Sequence, residues 1–202
     1  MDKPIVLDGH SLTTAQIAAI ARSDVPVELA PPALERASEA RKVVLELSNS
    51  KRPIYGLNTG LGANKDNRIE PEQYHRFNTC ILHSHSVALP PIANRDVKRA
   101  TMLCRLNGLL TGMAGVNLEI LYLLRDMLNY RIHPQIPERG SVGMSDLGNM
   151  AYLALPLIGE GYVEFHGEIL PAGEALNRCG LSPVQLGPKD GLPLVSSNAF
   201  SM

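Results

Sequence analysis

No tryptophan occurs in this chain of 202 residues and only three phenylalanines do, so aliphatic side chains must fill the core. Net charge is nearly absent too: 19 Lys and Arg stand against 20 Asp and Glu, a formal charge of −1. That balance removes any composition-level argument for a nucleic acid or an anionic membrane as partner. Long apolar runs are missing; the longest, such as Ala151 to Ile158, fall far short of a bilayer span. Cysteine is scarce. Cys80, Cys104 and Cys179 are odd in number, widely spaced and without metal-ligand spacing, which predicts buried free thiols, no metal site and a reducing, cytoplasmic compartment. The opening Met1-Asp2-Lys3-Pro4 lacks the basic start and apolar stretch of a signal peptide, so no leader is expected. What remains, 45% apolar and 19% charged, is the composition of a soluble globular protein of one domain or at most two.

Proline, glycine and cap residues divide the chain into helices. Ser11 reads as the cap of a first helix, with Leu12, Ile17, Ile20 and Ala21 at helical spacing. Pro31-Pro32 opens a second, because proline suits a first turn; Val43, Val44 and Leu47 give it an apolar face. Ser48-Asn49-Ser50 ends it, and residues 51–68 read as a long loop. Pro71 starts a third helix to about Val87, and Pro90-Pro91 breaks the chain. Asn94 caps a long helix containing Val97, Met102, Leu103, Leu106, Leu109 and Leu110. Gly112 to Gly115 interrupts it, and Asn117 caps the next through Leu128. Recurrent proline predicts loop from His133 to Gly143. Asp146 then reads as the cap of an apolar helix to Ile158. Tyr162 to Phe165 and Glu168 to Leu170 alternate about His166-Gly167, the one clear hairpin signal. Pro171 to Arg178 is a short helix stopped by Gly180, and the tail from Gly187 reads as irregular. The class is mainly α with a small β element.

Four segments carry chemistry-bearing residues. Tyr55-Gly-Leu-Asn-Thr-Gly-Leu-Gly62 has three glycines in eight residues, yet its spacing fits neither a P-loop nor a dinucleotide fingerprint. Alone, it reads as an ordinary loop, with Tyr55 an ordinary hydrogen-bonded tyrosine. In Leu82-His83-Ser84-His85-Ser86 the two histidines are two apart and point to different sides of a helix, which opposes a metal pair. Gly140-Ser-Val-Gly-Met-Ser-Asp-Leu-Gly-Asn-Met is a tight glycine turn running into an apolar helix. Ser145 and Asp146 at that junction read either as an anion-binding helix N-terminus or as a plain cap. The last segment, Gly191-Leu-Pro-Leu-Val-Ser-Ser-Asn-Ala-Phe-Ser201, would by itself be a turn or cap.

Taken together and in this order, the four segments resemble those of the histidine and phenylalanine ammonia-lyase family. The resemblance runs over nearly the whole chain and implies the N-terminal half of that family's helical fold, with a small β-hairpin. The family's loop Tyr-Gly-Val-Asn-Thr-Gly-Phe-Gly supplies its catalytic base, which falls on Tyr55. A tyrosine with an ordinary pKa of about 10 needs its phenolate stabilised for that work. The family's Ser-His pair matches Ser84-His85 and implies that His85 positions substrate or handles a proton; His83 has no such counterpart. Family lyases carry Gly-Leu-Ala-Leu-Ile-Asn-Gly-Thr near Gly191, and Ser196 fills the place of its Asn, with Asn198 two residues on. Gly62, Ser145, Asp146, Ser196 and Asn198 are thereby assigned to the pocket.

The family's electrophile is a methylidene-imidazolone formed when Ala-Ser-Gly after Gly-Ser-Val-Gly cyclises through the Gly nitrogen. Here the natural alignment lacks the Gly between Ser145 and Asp146 and has Met144 for Ala, and both changes oppose the bend. Cyclisation of Met144-Ser145-Asp146 would close the ring at an Asp nitrogen, where the freedom of glycine is lost. The cofactor is therefore not expected, and the changes at 144–146 and 196–198 are expected to be coupled. The implied reaction is β-elimination of ammonia or a quaternary amine from a histidine-like or aromatic amino acid. The alternative is a non-catalytic assembly or regulatory subunit on the same scaffold. Family chains are more than twice this length, so residues 1–202 are expected to be one half of a lyase-like domain. They would be completed by a C-terminal-half partner chain and a tetramer-like assembly.

Overall fold

The computed structural model describes residues 3–202; Met1 and Asp2, where a leader's basic start would lie, fall outside the described residues. A short strand, β1 (Ile5–Leu7), precedes α1 (Thr14–Ser23), and β2 (Val27–Leu29) returns parallel to β1. Burial alternates along β2, with Val27 and Leu29 inside and Glu28 outside, as a strand with one covered face requires. The sequence reading missed this ribbon, because three-residue strands carry too little alternation to register. It also placed the first cap too early: Thr13, not Ser11, accepts from the Gln16 N–H while Gln16 reaches back to the Thr13 N–H.

Helix α2 (Pro31–Ser48) follows, burying Ala33, Ala37 and Val44 and leaving Val43 exposed. After the loop, a 3₁₀ turn at Pro71–Gln73 leads into α3 (Tyr74–His85). The long helix is α4 (Arg95–Leu109), and α5 (Leu118–Asn129) begins where the Asn117 side chain accepts from the Glu119 N–H. Met102, Leu103 and Leu106 of α4 and Ile120, Leu121 and Leu124 of α5 are fully buried and form the centre of the core. The apolar helix is α6 (Leu147–Ala154), continued by a 3₁₀ turn to Ile158 and stopped by left-handed Gly159. Among the described residues no helix is long and apolar enough to cross a membrane.

The stretch from His133 to Gly143 is not all loop. It contains two strands, β4 (Ile132–Pro134) and β5 (Pro137–Arg139). Prolines sit at the ends of both, where no ladder N–H is needed. β5 pairs antiparallel with β3 (Leu89–Ile92), so Pro90-Pro91 lies within a strand rather than in a break. β4 joins the predicted hairpin, β6 (Tyr162–Phe165) and β7 (Glu168–Pro171), in a three-stranded antiparallel sheet. α7 (Ala172–Arg178) follows, and the tail, expected to be irregular, holds one more helix, α8 (Gly191–Val195). Buried thiols are half right: Cys104 and Cys179 are partly buried, but Cys80 is exposed. The mainly α class with a small β element stands.

Candidate active site

The Tyr55 loop and the start of α6 meet around α8, and α3, which carries Ser84 and His85 at its end, packs on α8 through Asn78. On one side lies the Tyr55 loop, which is built by Asn58. The Asn58 side chain is fully buried; it accepts from the Ile54 N–H at 2.8 Å and donates to the Ser50 and Arg52 carbonyls at 3.2 and 2.9 Å. Those bonds close the loop without using Tyr55, which stays 54% exposed. Its phenol oxygen accepts from the Gly62 N–H at 3.1 Å, so one backbone dipole points at the atom that carries charge in a phenolate. Glycine suits residue 56, where φ is +67° and a Cβ would push the tip of the Leu192 side chain in α8, 2.6 Å away.

Helix α3 reaches the same element from another direction. Buried Asn78 accepts from the Gly191 N–H at 2.7 Å, which pins the start of α8 to α3. His85 ends α3. Its Nδ1 lies 2.8 Å from the Ile81 carbonyl, and a carbonyl only accepts, so Nδ1 donates there and Nε2 is the ring nitrogen left for another partner. The Ser84 hydroxyl sits 3.1 Å from the same ring nitrogen. His83 faces elsewhere and pairs with Glu160 at 2.7 Å, as the two-residue spacing requires.

Beyond the other end of α8 the chain turns onto the start of α6. The Asp146 N–H donates to the Ser197 carbonyl at 2.8 Å, and the Ser145 hydroxyl donates to the same oxygen at 3.1 Å. One carboxylate oxygen of Asp146 accepts from Phe200 and Ser201 N–H at 3.0 and 2.9 Å. The expected side-chain cap of α6 is thus absent: Asp146 stands at the cap position, but its carboxylate turns away from its own helix. Ser196 is exposed and Asn198 partly buried on the turn that this contact holds. Arg105 of α4 braces the middle of α8 by donating to the Pro193 carbonyl. Burial lowers the Arg105 pKa to about 10, and no carboxylate pairs with it among the described residues.

The structure therefore joins Ser145 and Asp146 to the turn bearing Ser196 and Asn198, and Tyr55 to Gly62. Tyr55 and His85 share no hydrogen bond. Among the described residues no group of three or more His, Cys, Asp and Glu is placed to hold a metal ion.

Residues 12–202 match the family model of the aromatic amino acid lyases. The chain belongs to the aromatic amino acid lyase family. It is 45% identical over 201 residues to a histidine ammonia-lyase of Chloroflexus aurantiacus, covering 98% of this chain and 38% of that enzyme. Ergothionase from Treponema denticola, an ergothioneine-degrading enzyme solved with desmethyl-ergothioneine sulfonic acid, superposes with a TM-score of 0.96 at 38% identity. That match covers 98% of this chain and 40% of the other. A tyrosine aminomutase from Streptomyces globisporus follows at a TM-score of 0.92 and 31% identity, covering 98% and 37%. This lyase-family chain thus spans less than half the length of the relatives it matches.

The family's ring needs a free backbone nitrogen on a small residue after the serine. At that place stands Asp146, whose nitrogen is engaged by Ser197 and whose side chain is held by Phe200 and Ser201. Met144 is 88% exposed and the Gly140 turn is one residue short. These residues do not fit the cyclised group. Sequence reasoning passed over Asn58, Asn78, Arg105 and Ser197. A signal existed for Arg105, a charge between buried Leu103 and Leu106, and for Asn78, a polar residue near buried Ile81.

Proposed function

We propose that this chain is the N-terminal portion of a carbon–nitrogen lyase that eliminates a quaternary amine from a histidine-type betaine without an electrophilic cofactor. One observation carries the reading. The exposed Tyr55 keeps a backbone donor on its oxygen, while the family's ring position holds a Met-Ser-Asp whose Asp nitrogen is already bonded. The likeness to an ergothioneine-degrading enzyme supports the substrate class, since ergothioneine is a trimethylammonium betaine of a thiolated histidine.

Tyr55, as phenolate, takes the β-proton. The C–H electron pair becomes the new double bond, and the C–N pair departs with nitrogen as a neutral tertiary amine. A quaternary nitrogen has no N–H to compete with the C–H for the base and cannot lose its charge, so it leaves without electrophilic activation. His85 presents Nε2 toward substrate as a positioning group, and Ser145, Ser196 and Asn198 line the pocket. The rest of the pocket is supplied by a C-terminal half, as a partner chain or further sequence, in a tetramer-like assembly. Exposed Leu89 in β3, with Val87, Val142 and Met144 on either side of the β3–β5 pair, supports such a cover.

The test is trimethylamine release from histidine trimethylbetaine by the complete protein, repeated with Tyr55→Phe. The variant is expected to lose about 10³-fold in kcat, the scale of a general base, with unchanged thermal stability. Full activity in Tyr55→Phe would overturn the base assignment. No turnover of any amine by the complete wild-type protein would favour the non-catalytic scaffold instead.

A further inference from the structure

Asp146 is fully buried, yet no cation pairs with it among the described residues, and its Oδ1 has no hydrogen-bond partner. A desolvated carboxylate with one unsatisfied oxygen is a net cost to folding. The Asp146 backbone carbonyl caps its own helix by accepting from the Met150 N–H at 2.8 Å, but its side chain and its N–H both bond to one distant segment: Oδ2 to the Phe200 and Ser201 N–H groups, the N–H to the Ser197 carbonyl. Ser145 adds a second donor to that carbonyl. The segment is folded on itself as well. Ser197 accepts from the Ala199 N–H on its hydroxyl at 3.1 Å and donates its own N–H to the Val195 carbonyl at 3.0 Å. Ser196 and Asn198 ride on this turn, so their directions are set by where residues 197, 200 and 201 are pinned.

We propose that Asp146 is a positioning residue: its carboxylate and backbone N–H clamp the 197–201 turn and so aim Ser196 and Asn198 at the substrate. The part played by those two side chains rests on the lyase reading above; the clamp itself does not. The clamp joins the two segments at which this chain departs from its family's pattern. A rigid hydrogen-bonded junction stands where family members build a covalent ring.

The experiment compares wild type, Asp146→Ala, Asp146→Asn and the milder Ser145→Ala in the complete protein, by amide exchange and by kinetics with histidine trimethylbetaine. Asp146→Ala should speed exchange over 198–201 by about 100-fold while α4 and α5 stay protected, and Asp146→Asn, which keeps an acceptor, by about tenfold. Asp146→Ala should also raise KM and lower kcat, with Asp146→Asn restoring part of both. Should Asp146→Ala fail to fold, Ser145→Ala and Asp146→Asn still read the exchange of the turn. Unchanged exchange over 198–201 in the Asp146 variants would overturn the clamp. Faster exchange with unchanged KM and kcat would overturn the positioning role. A wild type without turnover would overturn the lyase reading alone, since exchange does not depend on it.

Discussion

At the end of α1, Asp24 faces Arg95, Arg99 and Arg131, with Arg99 and Arg131 at 3.2 and 3.3 Å, whereas around α8 Arg105 and Asp146 each sit without an opposite charge among the described residues. The first system is saturated. Burial pushes the Asp24 pKa up, but the Arg95 hydrogen bond and the charges of Arg99, Arg95 and Arg131 outweigh it, and the carboxylate stays below its usual range. Arg99 goes on to donate to the Ile20 and Leu128 carbonyls and to His133 Nε2 at 3.1 Å. His133 Nδ1 in turn donates to Glu164 at 2.6 Å. Accepting from Arg99 requires a lone pair on Nε2, so His133 is neutral; burial, opposed by Glu164, lowers its pKa to about 4. This chain ties α1, α4, β4 and β6 together. The second system leaves Arg105 Nε and Asp146 Oδ1 buried and unpartnered, and both groups spend their bonds on the backbone of residues 193–201. Paired charges serve stability; the lone ones hold the 193–201 segment at some expense to it.

If that contrast is right, Asp24→Ala has the largest effect on folding. It strands the buried Arg99 and is expected to cost about 4 kcal/mol by denaturant unfolding, within the range for breaking a buried pair. A loss under about 1 kcal/mol would erase the distinction.

Acid probes the same network. His133 has a folded pKa near 4, below the unfolded value of 6.5, so the unfolded state binds the proton first. Stability is therefore present above pH 6.5 and lost as pH falls toward 4, by about 3 kcal/mol from this group. Glu164 and Asp24, both held below their ordinary values, add loss in the same direction at lower pH. Unfolding midpoints measured at pH 7, 5.5 and 4 should fall steadily, and replacing His133 by Gln should flatten the upper part of that profile.

The smallest stability effect is expected at the site. Arg105→Met removes a desolvated charge along with one bond to Pro193, and the two nearly cancel, leaving a change within about 1 kcal/mol. Activity should nonetheless fall, because α8 loses its brace. A variant as unstable as Asp24→Ala would place Arg105 with the structural charges.

The same contrast explains what the sequence could disclose. Elements with local signals were legible: Asn117 caps α5, the apolar helix runs with its 3₁₀ continuation to Ile158, and the turn at His166-Gly167 joins β6 to β7. The Tyr55 loop was legible as a loop from its glycines and singled out only by family resemblance; Asn58, which organises it through bonds no more than eight residues away, was passed over. Asp146 was read as a cap because its identity and position fit one. What decides its direction is a turn more than fifty residues later, at Phe200 and Ser201. The Asp24 network was invisible because its members, from Ile20 to Glu164, come from four elements with no common motif. Three-residue strands such as β1, β2, β4 and β5 are fixed by pairing partners, not by their own pattern.

The central claim is that this family member eliminates a quaternary amine with Tyr55 as base and no cyclised triplet at 144–146. The most direct measurement gives the complete protein histidine trimethylbetaine and histidine in parallel, quantifies both amines, and weighs the same sample intact. The account predicts trimethylamine, no ammonia, and the unmodified mass. Ammonia from histidine, with a mass lower by two waters, would contradict it.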